Sequence, residues 1–132
     1  MIIRHTPETL RPVPLQFSGI YTHGTEIRGS ERIVFLSGQI GTRLDDSTPE
    51  PFEEQVHAAM DNVEALLEAT GLTHNDILRV VYYVTDPSNL QSLSQIRQQR
   101  WNSAQAPAVT TLVVSALASP ELKVEIEVTA GQ

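Results

Sequence analysis

The chain has 132 residues, of which 40% are hydrophobic and 19% charged, and its formal net charge is −7. This length and composition predict a single globular domain and exclude a disordered chain. The acidic balance argues against a nucleic-acid partner, because phosphate backbones require clustered positive charge.

The absence of cysteine excludes thiol nucleophiles, disulfides and cysteine-ligated metal. No apolar run approaches the roughly 20 residues needed to span a membrane. The N-terminus also lacks the charged-then-apolar pattern of a signal peptide. We therefore expect a cytoplasmic protein that makes no membrane contact.

The first third predicts an arm followed by a hairpin. Residues 1–14 contain three prolines and are predicted to be an irregular N-terminal arm. Residues 15–27 are strand-like, and a turn at 28–31 leads to an apolar strand at 33–36. We expect these two strands to pair as an antiparallel hairpin, which would bring Tyr21 close to Ser37.

The apolar strand at 33–36 ends in Ser37-Gly38-Gln39. The glycine lets the backbone approach a ligand closely, while the serine and glutamine add hydrogen-bonding groups. This composition is typical of a strand end that borders a small-molecule site, although an ordinary Ser-Gly turn has the same sequence.

Two amphipathic helices are predicted. Apolar residues recur at three- and four-residue intervals from Phe52 to Thr70, and Gly71 follows as a C-terminal stop. After a buried strand at 77–85, Asp86-Pro87 begins a second helix that runs to about residue 103. On the first helix His57 and Asp61 have the spacing of two metal ligands. Because no third ligand is near in sequence, we interpret them as a solvated pair and expect no metal.

The last third predicts two more strands, at 108–117 and 122–129. In the second, apolar residues alternate with polar ones, so that Glu125 lies on the polar face. That face is either solvated or lines a site in which a carboxylate orients water or accepts a proton. The whole order predicts an α/β (α+β) fold, a mixed sheet with two helices on one face. No helix remains to cover the other face, so we expect self-association.

Several segments, in this order and spacing, carry a resemblance to a known family. They are Ser37-Gly38-Gln39-Ile40, the helix segments at 62–63 and 68–72, Tyr83-Val84-Thr85-Asp86, Ala106-Pro107-Ala108 and Val124-Glu125-Ile126-Glu127. Together they resemble the RidA family, also called YjgF/YER057c/UK114, over about residues 19–130. The resemblance implies one RidA-like domain over residues 1–132 with a chorismate-mutase-like fold. It also implies a homotrimer whose sheets form a central β-barrel, with three clefts between subunits.

The resemblance further implies an activity. Deaminating members hydrolyse reactive enamines and imines derived from amino acids in those clefts, and they release ammonia and a 2-keto acid without metal or organic cofactor. Tyr21 matches the tyrosine that walls the cleft, and Ser37 and Gly38 match the strand-end turn. Glu125 matches the carboxylate that positions the hydrolytic water. Thr111 lies in the segment whose backbone carbonyl helps to hold that water.

Two positions depart from the deaminase pattern. After Ala106-Pro107-Ala108 the deaminases carry an arginine that grips the substrate carboxylate through two charge-assisted hydrogen bonds, whereas this sequence has Val109. Ser94 also stands where the deaminases commonly carry asparagine. Arg97 and Arg100, on the second helix, are candidates for a substitute charge.

Three functions follow from this mixture of matches and departures. The first is a cofactor-independent hydrolase or deaminase of the RidA type with an altered, less anionic substrate. The second is a trimeric ligand-binding or regulatory module that has kept the cleft and lost the chemistry. The third is the ribonuclease activity attributed to some relatives, which the acidic composition disfavours.

Overall fold

A mixed β-sheet with two helices packed on one face forms the centre of the fold. The computed structural model describes residues 1–132. In chain order its strands and helices are β1 (Ile2–His5), β2 (Gly24–Ile27), β3 (Ile33–Phe35), β4 (Gln39–Ile40), α1 (Phe52–Ala69), β5 (Ile77–Val84), α2 (Leu90–Arg100), β6 (Ala108–Val113) and β7 (Val124–Gly131). The main sheet has the order β3-β7-β5-β6, with β4 also paired to β7, and β1 pairs with β2 in a separate ribbon. The predicted mixed sheet with two helices is confirmed.

Alternation along the central strands explains why the helices lie on one face. In β7 the side chains of Val124, Ile126 and Val128 are almost completely buried, and they pack in one cluster with the apolar stripe of α1. The intervening residues of β7 point to the opposite face, which no helix covers. The apolar residues that alternate along β7 therefore pack against the apolar residues that recur every three to four positions along α1.

The buried amide of Gln55 ties the start of α1 to the segment before β7. Its Nε2 donates to the carbonyls of Pro49 (2.9 Å) and Glu121 (2.8 Å), and its Oε1 accepts from the backbone N–H of Lys123 (2.9 Å). Every partner is a backbone group, so no sequence pattern indicates this contact. It fixes the entry of β7, the strand that carries Glu125.

The prediction for the N-terminal third is wrong in three respects. Residues 2–5 are not an irregular arm but form β1, and residues 15–17 form a single 3₁₀ turn where a strand is predicted. Strand β2 pairs with β1, and β3 pairs with β7, so the predicted hairpin between β2 and β3 does not form. The prolines at 7, 12 and 14 lie beyond β1, where they leave its hydrogen bonds intact.

The face of the sheet opposite the helices, which we call the open face, exposes large apolar side chains. Phe35 is 79% exposed and Leu112 45%, and both alternate with residues that face the core. At one end the ribbon covers this face, because Thr25 Oγ1 donates to the carbonyl of Leu78 at 2.7 Å. No helix in the structure is both long enough and apolar enough to cross a membrane.

Candidate functional site

An apolar cavity of about 280 Å³, which we call the α2 cavity, lies between α2 and the edge strand β6. It is lined by Phe17, Tyr21, Leu90, Leu93, Ser94, Arg97, Val109, Thr111 and Val113. The side chains of β6 that reach it are those in register with Val80, Tyr82 and Val84, which face the helices. Four of the residues predicted to form the site, Tyr21, Ser94, Val109 and Thr111, therefore come together here.

Tyr21 is held at this cavity by its neighbour in sequence. The backbone N–H of Thr22 donates to the carbonyl of Pro107 (2.8 Å), and Thr22 forms an isolated parallel bridge with Ala108. The chain around Tyr21 therefore runs along the start of β6, a strand that is itself two positions from β7 and three from β3 in the sheet. The expectation that Tyr21 and Ser37 are near neighbours is wrong, because it depended on the hairpin that does not form.

Strand β6 has a free edge beside the cavity. The backbone N–H of Val114 donates to the carbonyl of Val84 (2.8 Å). In the parallel pairing of β6 with β5, the even-numbered residues of β6 therefore direct their backbone N–H and C=O groups toward β5. Thr111 has the opposite parity, and its carbonyl faces the free edge. It is thus placed where a water molecule or a partner can reach it.

A second cavity of about 220 Å³, the open-face cavity, lies on the other side of the sheet. It is lined by Gly38, Tyr83, Val114, Ala116, Leu117, Glu125 and Glu127. Glu125 forms no ion pair and no side-chain hydrogen bond within the chain, whereas Glu127 accepts a hydrogen bond of 2.9 Å from the hydroxyl of Tyr83. That bond to Glu127 raises the pKa of Tyr83, and the charge of Glu125 acts in the same direction. The free carboxylate in this cavity is Glu125.

Gly38 lies directly against Glu125. A Cβ added at Gly38 would stand 2.9 Å from the carboxyl carbon of Glu125 and closer still to Oε1, so any side chain here displaces the carboxylate. Ser37 is exposed on the same turn, where its carbonyl accepts a hydrogen bond of 2.9 Å from the amide of Gln39, and it lines neither cavity. In the strand-end turn, Gly38 is therefore the residue that leaves space for the Glu125 carboxylate.

Replacing Gly38 with alanine is expected to push Glu125 out of position, with little change in the fold. Any reaction in which Glu125 acts as the base should then have a turnover lower by about tenfold or more. Steady-state kinetics and thermal unfolding measure the two effects. Gly29→Ala is the control, because nothing lies within 4 Å of the Cβ it would add, although its φ of +57° adds a strain that Gly38 does not have. Unchanged turnover in Gly38→Ala would show that the position of Glu125 does not matter.

The two cavities share no residue and lie on opposite faces of the sheet. One chain thus presents Tyr21 and Thr111 on one face and Glu125 on the other. Because strand parity decides which face each side chain takes, these groups cannot meet on a single ligand within the chain. The sequence supplied the residue types, but their separation became visible only in the structure.

Of the two candidate arginines on α2, Arg100 is already neutralised. Its Nη2 contacts Asp61 Oδ1 (2.7 Å) and Glu64 Oε2 (2.9 Å), and its Nη1 donates to the carbonyl of His57 (3.0 Å). His57 and Asp61 are consequently joined through Arg100 and are not simply a solvated pair. No group of three potential ligands in the structure is arranged to hold a metal ion. Arg100 joins α2 to α1 and lies outside the α2 cavity.

Arg97 is different, since it lines the α2 cavity and is only 5% exposed. Its guanidinium lies over the ring of Tyr82, 4.7 Å from the centroid, and Nη2 donates to the carbonyl of Ile20 at 3.3 Å. Burial lowers the pKa of Arg97, and burial also raises the pKa of Tyr82 to about 12. Arg97 takes part in no ion pair.

Comparison with known proteins matches residues 14–132 to the family model described as endoribonuclease L-PSP. A RutC family protein of Aquifex aeolicus is 35% identical over 121 residues, covering 90% of this chain and 91% of the relative. The RutC family protein YjgH of Escherichia coli is 33% identical over 108 residues, covering 80% and 81%. A protein of Dermatophagoides farinae named 2-iminobutanoate/2-iminopropanoate deaminase is 27% identical over 120 residues, covering 89% and 88%.

Among solved structures, YyfB of Yersinia pestis, described as a protein of unknown function of the conserved Rid family, has a TM-score of 0.87 to this chain. It is 27% identical, and the match covers 99% of this chain and 98% of that one. The similarity thus extends over the whole fold, including the N-terminal ribbon, β6 and β7.

Proposed function

This chain belongs to the RidA (YjgF/YER057c/UK114) family, and we propose that it hydrolyses small imines or enamines derived from amino acids, with a substrate range altered at Val109. The family includes members named as deaminases of such compounds. The observation that carries the proposal is the unpaired carboxylate of Glu125. It lies directly against Gly38, where any side chain would displace it. A carboxylate without a partner is available to bind and deprotonate water.

We further propose that the site is completed by a second copy of the chain, in a homotrimer whose sheets form a central barrel. Two observations support this. The open face exposes Phe35 and Leu112, which a monomer would leave in water. The predicted site residues are also divided between opposite faces of one sheet, so a second copy that sets its α2 cavity beside the open-face cavity would unite them.

In the proposed reaction, water adds to the carbon of the protonated C=N bond while Glu125 accepts a proton from that water. The resulting tetrahedral carbinolamine takes the proton from Glu125 onto its nitrogen. The C–N bond then breaks as the hydroxyl oxygen forms the carbonyl and gives its proton to the Glu125 carboxylate. The departing ammonia takes that proton, so ammonium and a 2-oxo acid leave and Glu125 is again a carboxylate. The carbonyl of Thr111, at the free edge of β6, accepts the second hydrogen of the water and orients it.

A non-catalytic ligand-binding module is the second candidate, and the observation that favours it is Val109. The residue that would hold a substrate carboxylate in the deaminases is here an apolar side chain within an apolar cavity. A ribonuclease is the weaker alternative, because the net charge of −7 opposes RNA binding.

The experiment that tests the proposal is ammonia release from imines generated in the reaction mixture by an amino-acid oxidase, with and without the purified protein. Leucine and alanine supply a branched and a small imine. The proposed function requires faster ammonia release with at least one of them. Binding of the corresponding 2-oxo acids without any acceleration would favour the binding module.

A further inference from the structure

Arg97 and Arg100 lie one helical turn apart on α2, yet only Arg100 forms ion pairs. Arg100 contacts two carboxylates of α1, at 2.7 and 2.9 Å. Arg97 is more deeply buried and contacts no carboxylate at all. Burying a cation without a counter-ion carries a large desolvation penalty, so a protein rarely does so unless the cation has a structural or functional role.

The protein itself satisfies only part of the guanidinium of Arg97. The ring of Tyr82 stacks on one face, and one hydrogen bond runs from Nη2 to the carbonyl of Ile20. Arg97 lines the α2 cavity and also a cavity of about 10 Å³ that Ile20 and Tyr82 border. No side-chain nitrogen or oxygen of the chain is both buried and without a hydrogen-bond partner, so the remaining N–H groups of Arg97 are not sealed inside the core. They are available to an anion.

The surroundings of these N–H groups are mainly apolar. Leu90, Leu93 and Val113 line the α2 cavity beside Arg97, and the side-chain hydroxyls nearby belong to Tyr21, Ser94 and Thr111. A carboxylate in this setting would meet a desolvated guanidinium, where a charge-assisted pair is stronger than in water. The rest of the ligand would meet hydrocarbon.

We propose that Arg97 is the anion-binding residue of the α2 cavity and selects ligands that carry one carboxylate on an apolar side chain. The guanidinium enters from α2 rather than from β6, the position where Val109 stands. Val109 then forms part of the apolar wall against the ligand's side chain. The inference deepens the proposed function and rests on it for the choice of 2-imino acids, and their 2-oxo acid products, as ligands.

The test is calorimetric titration of 4-methyl-2-oxopentanoate, a stable product analogue, against the native protein and Arg97→Met. The proposal expects binding to the native protein and a loss of about ten- to a hundredfold in affinity in Arg97→Met. Arg97→Lys keeps the charge but not the fork of donors, so it should fall between the two. Arg43→Met, in an exposed loop, is the charge-matched control and should bind like the native protein.

A comparison on the native protein needs no variant and remains decisive if Arg97→Met does not fold. The methyl ester of the same 2-oxo acid has the same apolar side chain but no charge. The native protein should bind the acid at least tenfold more tightly than the ester, and equal binding of acid and ester would overturn the proposal. So would an Arg97→Met protein that folds and binds the acid as tightly as the native protein.

These outcomes are distinguishable from failure of the proposed function. Binding that depends on Arg97, with no ammonia release from any imine, supports the anion site and contradicts hydrolysis. Ammonia release with the same KM and kcat in Arg97→Met supports hydrolysis and contradicts the anion site.

Discussion

Glu125→Gln is expected to lower the rate of imine hydrolysis by about 10²- to 10⁴-fold, the range that one positioned general base contributes. Glutamine has nearly the same shape as glutamate, but it cannot accept a proton from water. Because Glu125 makes no ion pair within the chain, the substitution should leave stability almost unchanged. Affinity for a 2-oxo acid should also persist. The assay is ammonia release from oxidase-generated imines, together with titration of the 2-oxo acid.

Glu127→Gln is the matched control for this prediction. Glu127 lines the same cavity and points to the same face of β7, but it already accepts a hydrogen bond from Tyr83. Its replacement should cost less than about tenfold in rate, since it is not the free base. Equal losses in both variants would indicate a general effect of the cavity's charge. An unchanged rate in Glu125→Gln would remove Glu125 from the mechanism.

Val109→Arg is expected to change which imine the protein prefers. The arginine side chain would occupy much of the α2 cavity, whose volume is about 280 Å³, and would place a second guanidinium there with Arg97. The branched imine from leucine should lose space, while the small imine from alanine gains a carboxylate partner. The ratio of kcat/KM for the leucine-derived to the alanine-derived imine should fall by about a hundredfold.

Val109→Lys separates charge from geometry, because lysine supplies the charge without the planar fork of donors. It should shift the ratio less than Val109→Arg. Without ligand, Val109→Arg should also unfold at a lower temperature than the native protein, since two cations share one desolvated cavity. A ratio that does not move would show that residue 109 does not face the bound substrate.

The elements that the sequence predicts best are those whose pattern is local. The helix from Phe52 and the alternating strand that carries Val124 and Ile126 agree with α1 and β7, because hydrophobic periodicity reports directly on the face that packs. The N-terminal third could not be predicted in the same way. Strand β1 depends on pairing with β2, about twenty residues further along the chain, and no local pattern specifies that partner.

The same distinction applies to the site. Motif positions such as Glu125 and Gly38 could be proposed from the sequence, and the structure brings these two together. Which face each predicted residue takes depends on strand order and parity, which the mistaken hairpin obscured. The choice between Arg97 and Arg100 depends on whether α1 supplies carboxylates to each of them. Only the structure distinguishes the two, since both arginines lie on the same helix with similar sequence neighbours.

The most direct test of the central claim, a hydrolytic site shared between two chains, is complementation between two inactive variants. Val109→Trp fills the α2 cavity, and Glu125→Gln removes the base from the open-face cavity. If one chain supplies each cavity, refolding the two variants together in equal amounts recreates about one quarter of the native sites, and about one quarter of the native rate should return. Native protein refolded in the same way sets the reference rate. A mixture no more active than its separate components would show that no active site takes one cavity from each chain, and it would contradict the account.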